Sequence, residues 1–382
     1  MGFLKRSKAS LAIFIFAVSV SAAALQQHGV AANPLPAQAG SSVPKQAPLE
    51  IPSAPVSAVP SLPHVPGQLD LNVVVTDRSG KRVTGLAPSD FTLIEDKHPT
   101  PLVAFRAWNS PVSSPPVHLI LVIDTVNIRF NRVAYVRHEV NTFLRENGGR
   151  LATPVSVLWV TDTGIEVNSD TTDNGDNLAQ QLDATEGKLR ILGRDAGAWG
   201  DIEQFELSVQ MLKQIVEGAA AIPGRKLIVW LGPGWPMLDS PNIVLQGDQQ
   251  EQLFQEIVGL TTVMRRAQIS LYSVSQDIAD VDSNFYLAFV NPVKKPSDAN
   301  PPNLALKVLA VESGGMALNP SNDLKRSIQD CAQDAGPYYT LGIKASPAHQ
   351  PDEFHALKVR IDKPGLTART VPGYYSQPPH RT

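Results

Sequence analysis

The chain has 382 residues, a formal net charge of −3, 43% hydrophobic and 18% charged residues, 32 prolines and a single cysteine. The apolar content excludes a wholly disordered chain, and the slightly acidic balance gives no electrostatic reason to expect a nucleic-acid partner. One cysteine excludes an intramolecular disulfide and a cysteine-based zinc cluster.

The first 24 residues carry the features of a secretory signal peptide. Lys5, Arg6 and Lys8 precede an apolar run, and residues 22–24 are alanines that suit a cleavage site. The uncharged stretch is at the short limit for crossing a bilayer. The alternative is therefore a retained N-terminal membrane anchor, which is the one membrane attachment that the sequence suggests. We expect a secreted or cell-envelope protein, periplasmic or extracellular.

Residues 25–66 hold nine prolines, no aromatic residue and two charged residues. Such a segment cannot bury enough apolar surface to offset the entropy of ordering, so it predicts a disordered spacer. Residues 67–110 then predict a small β module. Its first strand alternates apolar with polar positions, as a half-buried strand does, the apolar ones being Leu69, Leu71, Val73 and Val75. A second proline-rich joint, at 111–116, ends the module.

Between residues 116 and 345, apolar segments alternate with amphipathic ones, which predicts a mostly parallel α/β sheet. Strands are predicted at 117–124, 155–161, 165–167, 226–231 and 269–274. Helices are predicted at about 176–184, 201–219, 248–266 and 302–312, and another from the spacing of Val133, Val136, Val140 and Phe143. Further strands are predicted at 338–343 and 356–361, the second in a C-terminal region of residues 346–382. Cys331 shares a helical face with Leu324 and Ile328, so we expect it to be a core residue.

Four stretches of the chain resemble a known family. They are residues 73–96, residues 118–127 (His-Leu-Ile-Leu-Val-Ile-Asp-Thr-Val-Asn), residues 309–324, and residues 338–342 with 372–375. Their order and spacing are similar to those of von Willebrand factor A (VWA) domains, and more closely to VWA-related proteins of the acidobacterial type. The resemblance implies a doubly wound, Rossmann-like sheet with helices on both faces, a small N-terminal β module and C-terminal strands.

In metal-binding VWA domains, an Asp-x-Ser-x-Ser loop, a distant Thr and a distant Asp hold a divalent cation, and such hard oxygen ligands suit magnesium. Asp124 matches the first Asp of the loop, but Val126 and Ile128 stand where the serines should be. Gly232 stands where a distant acid is expected. The resemblance therefore implies a degenerate site without metal. The alternative is a weak magnesium-dependent adhesion site with three ligands: Asp124, Asn127 and Thr172.

Without metal, the resemblance implies a binding apex for a protein or peptide partner beyond the strand ends, including Asp124, Asp162 and Trp235. Trp235 lies in a Gly-Pro-Gly-Trp-Pro loop after a predicted strand. There it is either an interface anchor or a structural residue beneath the loop. The long insertion at 282–303 is a candidate cover for the same apex.

Catalytic motifs are lacking in the sequence. It contains no nucleophile elbow, no phosphate-binding loop and no dinucleotide fingerprint, and its eight histidines form no close ligand pair. We therefore expect a binding protein that is not an enzyme and needs no cofactor. A hydrolase that uses Asp124, Asp162 and Asp170 is kept as a third hypothesis.

Overall fold

The computed structural model describes residues 67–109, 116–167, 171–184, 198–238, 245–276 and 284–378. The predicted signal peptide, the spacer, most of the 111–116 joint and Asp170 lie outside these residues.

Strands and helices are numbered here along the described residues. The strands are β1 (Gln68–Thr76), β2 (Phe91–Glu95), β3 (His98–Thr100), β4 (Ala104–Trp108), β5 (Val117–Asp124), β6 (Arg150–Thr161), β7 (Gly164–Val167), β8 (Thr172–Asn174), β9 (Arg225–Leu231), β10 (Ile269–Val274), β11 (Met316–Ala317), β12 (Tyr338–Lys344), β13 (Glu353–Ile361), β14 (Thr367–Arg369) and β15 (Gly373–Ser376). The helices are α1 (Phe130–Leu144), α2 (Glu146–Gly149), α3 (Gly175–Ala184), α4 (Ala198–Ala220), α5 (Gly247–Arg266), α6 (Leu306–Glu312) and α7 (Leu324–Ala332). Short 3₁₀ helices cover Pro88–Asp90, Phe285–Ala288, Pro296–Asp298, Pro301–Leu304 and Gln333–Ala335.

The central sheet has the strand order β11-β10-β9-β5-β6-β7, with β8 also paired to β6. Strands β5, β6, β9, β10 and β11 run parallel, whereas β7 and β8 pair antiparallel with β6. Every residue of β5, β9 and β10 is buried, which is why these strands have mainly apolar sequences. The predicted mostly parallel α/β sheet is confirmed.

Helices cover the central sheet on both faces. Successive side chains of a strand point to opposite faces, so the sheet contributes to two cores. One core contains Ile120 and Val122 with residues of α4, α5 and α6. The other contains Leu119 and Leu121 with residues of α1, α3 and α7, among them the buried free thiol of Cys331.

Helix α5 shows how local sequence sets the bounds of an element. At its start, the side chain of Gln249 accepts the backbone N–H of Gln246 at 2.8 Å. Asp248 lies in the first turn and Arg265 and Arg266 in the last, so the charges complement the helix dipole. Its buried positions recur at helical spacing: Leu253, Ile257, Leu260 and Met264.

Two further sheets are antiparallel and are built from strands that precede or follow the central sheet in sequence. Their strand orders are β14-β1-β12-β4 and β15-β13-β2-β3. The register of β1 with β12 begins at Gln68 opposite Lys344, and that of β2 with β13 runs from Phe91 opposite Ile361. Sequence patterning assigns these strands to three separate segments, 67–110, 116–345 and 346–382, whereas the pairing unites them. Alternation identifies a strand, but it does not identify the partner that satisfies the backbone.

A buried ionic cluster joins the antiparallel strands to the central sheet. The carboxylate of Asp334 accepts hydrogen bonds from Arg82, from Arg369 on β14 and, at 2.5 Å, from the hydroxyl of Tyr272 on β10. Arg225 on β9 donates to the backbone oxygen of Asp334 at 2.5 Å. Burial opposes ionisation, but Arg369 and Arg82 hold the pKa of Asp334 below its ordinary value.

None of the helices in the described parts of the chain combines the length and the apolar character that crossing a bilayer requires.

Candidate functional site

In open α/β sheets, ligands bind beyond the C-terminal strand ends, where the strand order reverses. In the central sheet this point lies between β5 and β9, since β6 and β7 continue on one side and β10 and β11 on the other. Asp124 ends β5, and Gly232 follows β9. A Cβ atom on Gly232 would lie only 3.0 Å from Cβ of Asp124, so a larger residue would crowd the carboxylate.

Four hydrogen-bond donors surround the fully buried carboxylate of Asp124. Oδ1 accepts the backbone N–H groups of Val126 at 3.1 Å and Asn127 at 3.0 Å. Oδ2 accepts Nδ2 of Asn127 at 2.8 Å and the indole Nε1 of Trp230 at 2.9 Å. Burial raises the pKa of Asp124, and the hydrogen bonds from Trp230 and Asn127 act in the opposite direction. Each carboxylate oxygen thus has two protein donors.

The loop that follows Asp124 is held by the elements around it. Nδ2 of Asn127 also donates to Oγ of Ser208 on α4 at 2.9 Å. Thr125 donates its backbone N–H and its hydroxyl to the carbonyl of Val160 on β6, at 2.9 and 2.8 Å. The loop is therefore fixed to β6, β9 and α4, and Asp124 organises it from inside.

The three predicted metal ligands do not converge. Thr172 pairs with Val155 on β6, and Val155 pairs with Leu119, which precedes Asp124 by five positions on β5. At ~3.3 Å per strand residue, Thr172 is displaced from Asp124 by ~16 Å along the strands. The hydroxyl of Thr172 instead accepts the backbone N–H of Asn174 at 3.1 Å.

The residues around Asp124 do not fit a divalent cation. Asn127 points its amide nitrogen, a donor, towards Asp124, and Val126 and Ile128 are buried apolar side chains. Within the described ranges, no group of three or more His, Cys, Asp or Glu residues is arranged to hold a metal ion. The carboxylate of Asp124 instead holds the loop that follows it, by accepting hydrogen bonds from Val126 and Asn127.

Trp235 and Asp162 also lie beyond the strand ends. Trp235 is only 5% exposed, packs edge-on against Trp230 at 5.5 Å and donates its indole N–H to the carbonyl of Leu304 at 3.1 Å. It is a core residue and does not present its ring to solvent. Asp162 follows β6 and is half-buried, and its Oδ1 atom has no hydrogen-bond partner in the part of the chain that the structure describes.

The described part of the predicted insertion packs into the molecule. Val293 and Ala299 are buried in the same core as Trp235 and Trp230. The hydroxyl of Tyr375 donates to the carbonyl of Val293 at 2.8 Å. Residues 282 and 283 of the insertion lie outside the described ranges.

The start of α1, which the sequence analysis did not single out, contributes exposed residues at this edge. Arg129, Phe130 and Arg132, called the rim patch below, are all exposed, and Phe130 is 72% exposed. Phe130 precedes Val133 by three positions, so its spacing predicts burial on the apolar stripe. Since α1 starts at the C-terminal edge of β5 and then runs back along the sheet, its first turn lies at the rim. The available sequence signal was the pair of arginines at a helix start without an acid.

Comparisons with known proteins give the following similarities. No family model matches the chain, and no curated protein matches it in sequence. The structure is similar to the pilus adhesin SpaC from Lactobacillus rhamnosus GG, with 12% identity, 75% of this chain and 48% of that chain covered, and a TM-score of 0.31. It is also similar to the manganese-loaded TRAP protein of Plasmodium vivax, with 7% identity, 70% and 96% covered, and a TM-score of 0.31. A third similar structure is the VWA domain of SpRpn10, with 12% identity, 56% and 93% covered, and a TM-score of 0.26.

The matched region spans about half the length of the pilus adhesin. At these identities and TM-scores, the similarities support no conclusion about what this chain binds.

Proposed function

We propose that the chain is a secreted or envelope-associated binding module with a VWA-like, doubly wound fold. In this proposal it holds a protein or peptide partner at the C-terminal edge of the central sheet, without catalysis, metal or another cofactor. The signal-like N-terminus and the sequence resemblance to acidobacterial VWA-related proteins support the location and the family.

The strand order of the central sheet supports the fold assignment. When β8 is left out of the numbering, β7-β6-β5-β9-β10-β11 have the order 3-2-1-4-5-6, which is the order of doubly wound nucleotide-binding sheets, with the edge strand β7 antiparallel here. Helices pack on both faces, α4, α5 and α6 on one and α1, α3 and α7 on the other.

The hydrogen-bonded state of Asp124 is the observation that carries the proposal. Asp124 is the carboxylate that both alternatives need, as a magnesium ligand or as a hydrolytic acid or base. It is 0% exposed and both of its oxygens already accept two hydrogen bonds from the protein. A general base must reach the proton that it removes, and this carboxylate does not reach the surface.

A binding screen with the full chain tests the proposal. The immobilised chain is titrated with purified envelope proteins and extracellular-matrix proteins, and we expect saturable binding of a specific partner at micromolar concentration. Binding should not change when magnesium is removed by a chelator. Failure of every candidate at that concentration would contradict the proposal.

Calorimetric titration of the full chain with magnesium or manganese separates the metal-free proposal from the alternative. Since the four donors already occupy the carboxylate, we expect the same heats from the native chain and from the near-isosteric variant Asp124→Asn. A saturable heat in the native chain that the variant lacks would establish the magnesium-dependent site instead.

A further inference from the structure

The stability of the fold does not explain why the three residues of the rim patch are exposed. Phe130 is the most exposed of the large apolar side chains that the structure describes, ahead of Val103 at 56%. Arg129 and Arg132 are exposed and form no ion pair with another described residue. One apolar and two cationic side chains within four positions at the start of α1 are therefore exposed to solvent.

The position of the two arginines is electrostatically unfavourable for α1. The N-terminal end of a helix carries a partial positive charge, so acids stabilise it and bases destabilise it. Arg129 is the N-cap of α1, Arg132 lies in the first turn, and that turn contains no acid and no side-chain cap. Helix α5 has the opposite arrangement, with Asp248 first and arginines last. Local departures from such rules tend to occur at functional positions.

The chemistry of the patch specifies a complementary ligand. Arginine presents a planar fork of donors that matches carboxylates, and an exposed aromatic ring offers apolar area to a partner. Residues three apart on a helix are neighbours, so Arg129 at the N-cap and Arg132 in the first turn lie next to each other, and Phe130 directly follows Arg129. We infer that the rim patch docks an acidic segment of a partner protein, with carboxylates on the arginines and an apolar side chain against Phe130. This inference rests on the proposed function and adds the chemistry of its partner.

An anionic membrane surface is the competing occupant. Stable attachment to a membrane needs a larger apolar face or a longer run of basic residues than one phenylalanine and two arginines. A protein segment that crosses the first turn of α1 can instead contact the two arginines and Phe130 in turn. The observations therefore favour the peptide.

A short fluorescent peptide that alternates Glu with Phe is the probe, and its anisotropy is measured against the full chain. We expect saturable binding that weakens as salt is added, because the contacts are ionic at the rim. A peptide with Gln in place of Glu and one with Ser in place of Phe should each bind at least about tenfold more weakly.

Charge reversal on the protein side gives the decisive comparison. The double variant Arg129→Asp, Arg132→Glu places a preferred capping residue at the N-cap and an acid three positions later, the arrangement of a capping box. Its thermal midpoint should be equal to or above that of the native chain, so lost binding cannot be attributed to unfolding. We expect peptide binding to fall at least about tenfold in this variant and in Phe130→Ser.

A matched control makes the same change of net charge elsewhere. Lys358 and Arg360 are exposed on β13, and the variant Lys358→Glu, Arg360→Glu should bind the peptide as the native chain does. Equal binding by both double variants, or no binding of the peptide to the native chain, would overturn the inference. Attachment to phosphatidylserine vesicles that is lost in the rim variants, without peptide binding, would overturn it in favour of a membrane surface.

The two proposals fail in different ways. If a partner found in the screen binds the rim variants as tightly as the native chain, the inference is wrong and the proposed function stands. If the screen yields no partner, the proposed function fails, whatever the peptide titration shows.

Discussion

Asp124 illustrates what one residue's environment adds to its place in a sequence. A terminal acid on an apolar strand is visible in the sequence, and its match to the first position of a metal-binding loop is equally visible. The fourth donor, Trp230, is 106 positions away and lies on the neighbouring strand β9. Val126 and Ile128, in place of the loop serines, predict a degenerate site. No sequence pattern predicts that donors of the protein itself hydrogen-bond to both carboxylate oxygens of Asp124.

His118 on β5 is a second buried polar residue with an unusual environment. It is 2% exposed, and neither ring nitrogen has a hydrogen-bond partner within the described residues. Lys226 lies opposite it on β9 and donates to the carbonyls of Ile222 and Gly224, at 2.7 Å each. Burial and then the charge of Lys226 lower the pKa of His118 from its ordinary 6.5.

This lowered pKa predicts that stability falls in mild acid. The unfolded chain takes up a proton on His118 near pH 6.5, whereas the folded chain resists it, so the free energy of unfolding decreases as the pH drops below that value. Urea titrations at pH values from neutral to mildly acidic, followed by tryptophan fluorescence, should show a smaller decrease for His118→Leu than for the native chain.

The exposed His98 on β3 supplies the control, and His98→Leu should keep the native pH dependence. If both variants kept it, His118 would not be its source.

At the scale of elements, sequence periodicity predicts where a helix or strand lies better than it predicts which strands pair. Strand β5 occupies the predicted 117–124, and α5 begins one residue before its predicted start at 248. Strand β6 begins earlier than predicted, because its first residues are only partly buried and lack an apolar run. The predicted helix at 302–312 is a 3₁₀ helix followed by α6, because the backbone of Ala305 between them is extended and not helical.

The ionic cluster around Asp334 joins β14 to β9 and β10 of the central sheet. It leads to a prediction about the stability of the protein. The variant Asp334→Asn leaves Arg82 and Arg369 without their counter-charge at a site where the native carboxylate is fully buried. We expect a loss of about 3 to 5 kcal/mol in the free energy of unfolding, the usual cost of breaking a buried ion pair. Urea unfolding followed by circular dichroism measures it.

Asp330, one turn earlier on α7, gives a matched comparison. It forms a surface ion pair with Arg326 at 3.2 Å, so Asp330→Asn should change the stability by no more than about 1 kcal/mol. Equal losses in the two variants would mean that the buried cluster is worth no more than a surface pair.

At the scale of the whole molecule, strand pairing joins segments that the sequence-based domain boundaries separate. The N-terminal strands β1 and β2 pair with β12 and β13, respectively, more than two hundred positions later along the chain. The core of the antiparallel sheets contains residues from both the N-terminal and the C-terminal strands, among them Leu71, Leu93, Tyr339 and Leu357. The cluster at Asp334 likewise combines Arg82 with Arg369. The α/β region is thus one part of a larger folding unit.

A fragment of residues 116–345, the predicted α/β domain, should therefore not fold into a stable monomer. Removing the flanking segments takes both partner strands from β12, and Tyr339, Leu341 and Ile343, which are buried in the full chain, would face water. Asp334 would also lose Arg82 and Arg369. We expect this fragment to bind an apolar dye, to aggregate and to be cleaved rapidly by protease, whereas residues 67–378 remain resistant. A monomeric fragment as resistant as the longer one would show that the α/β region folds without the antiparallel strands, and that the predicted boundaries describe an independent domain.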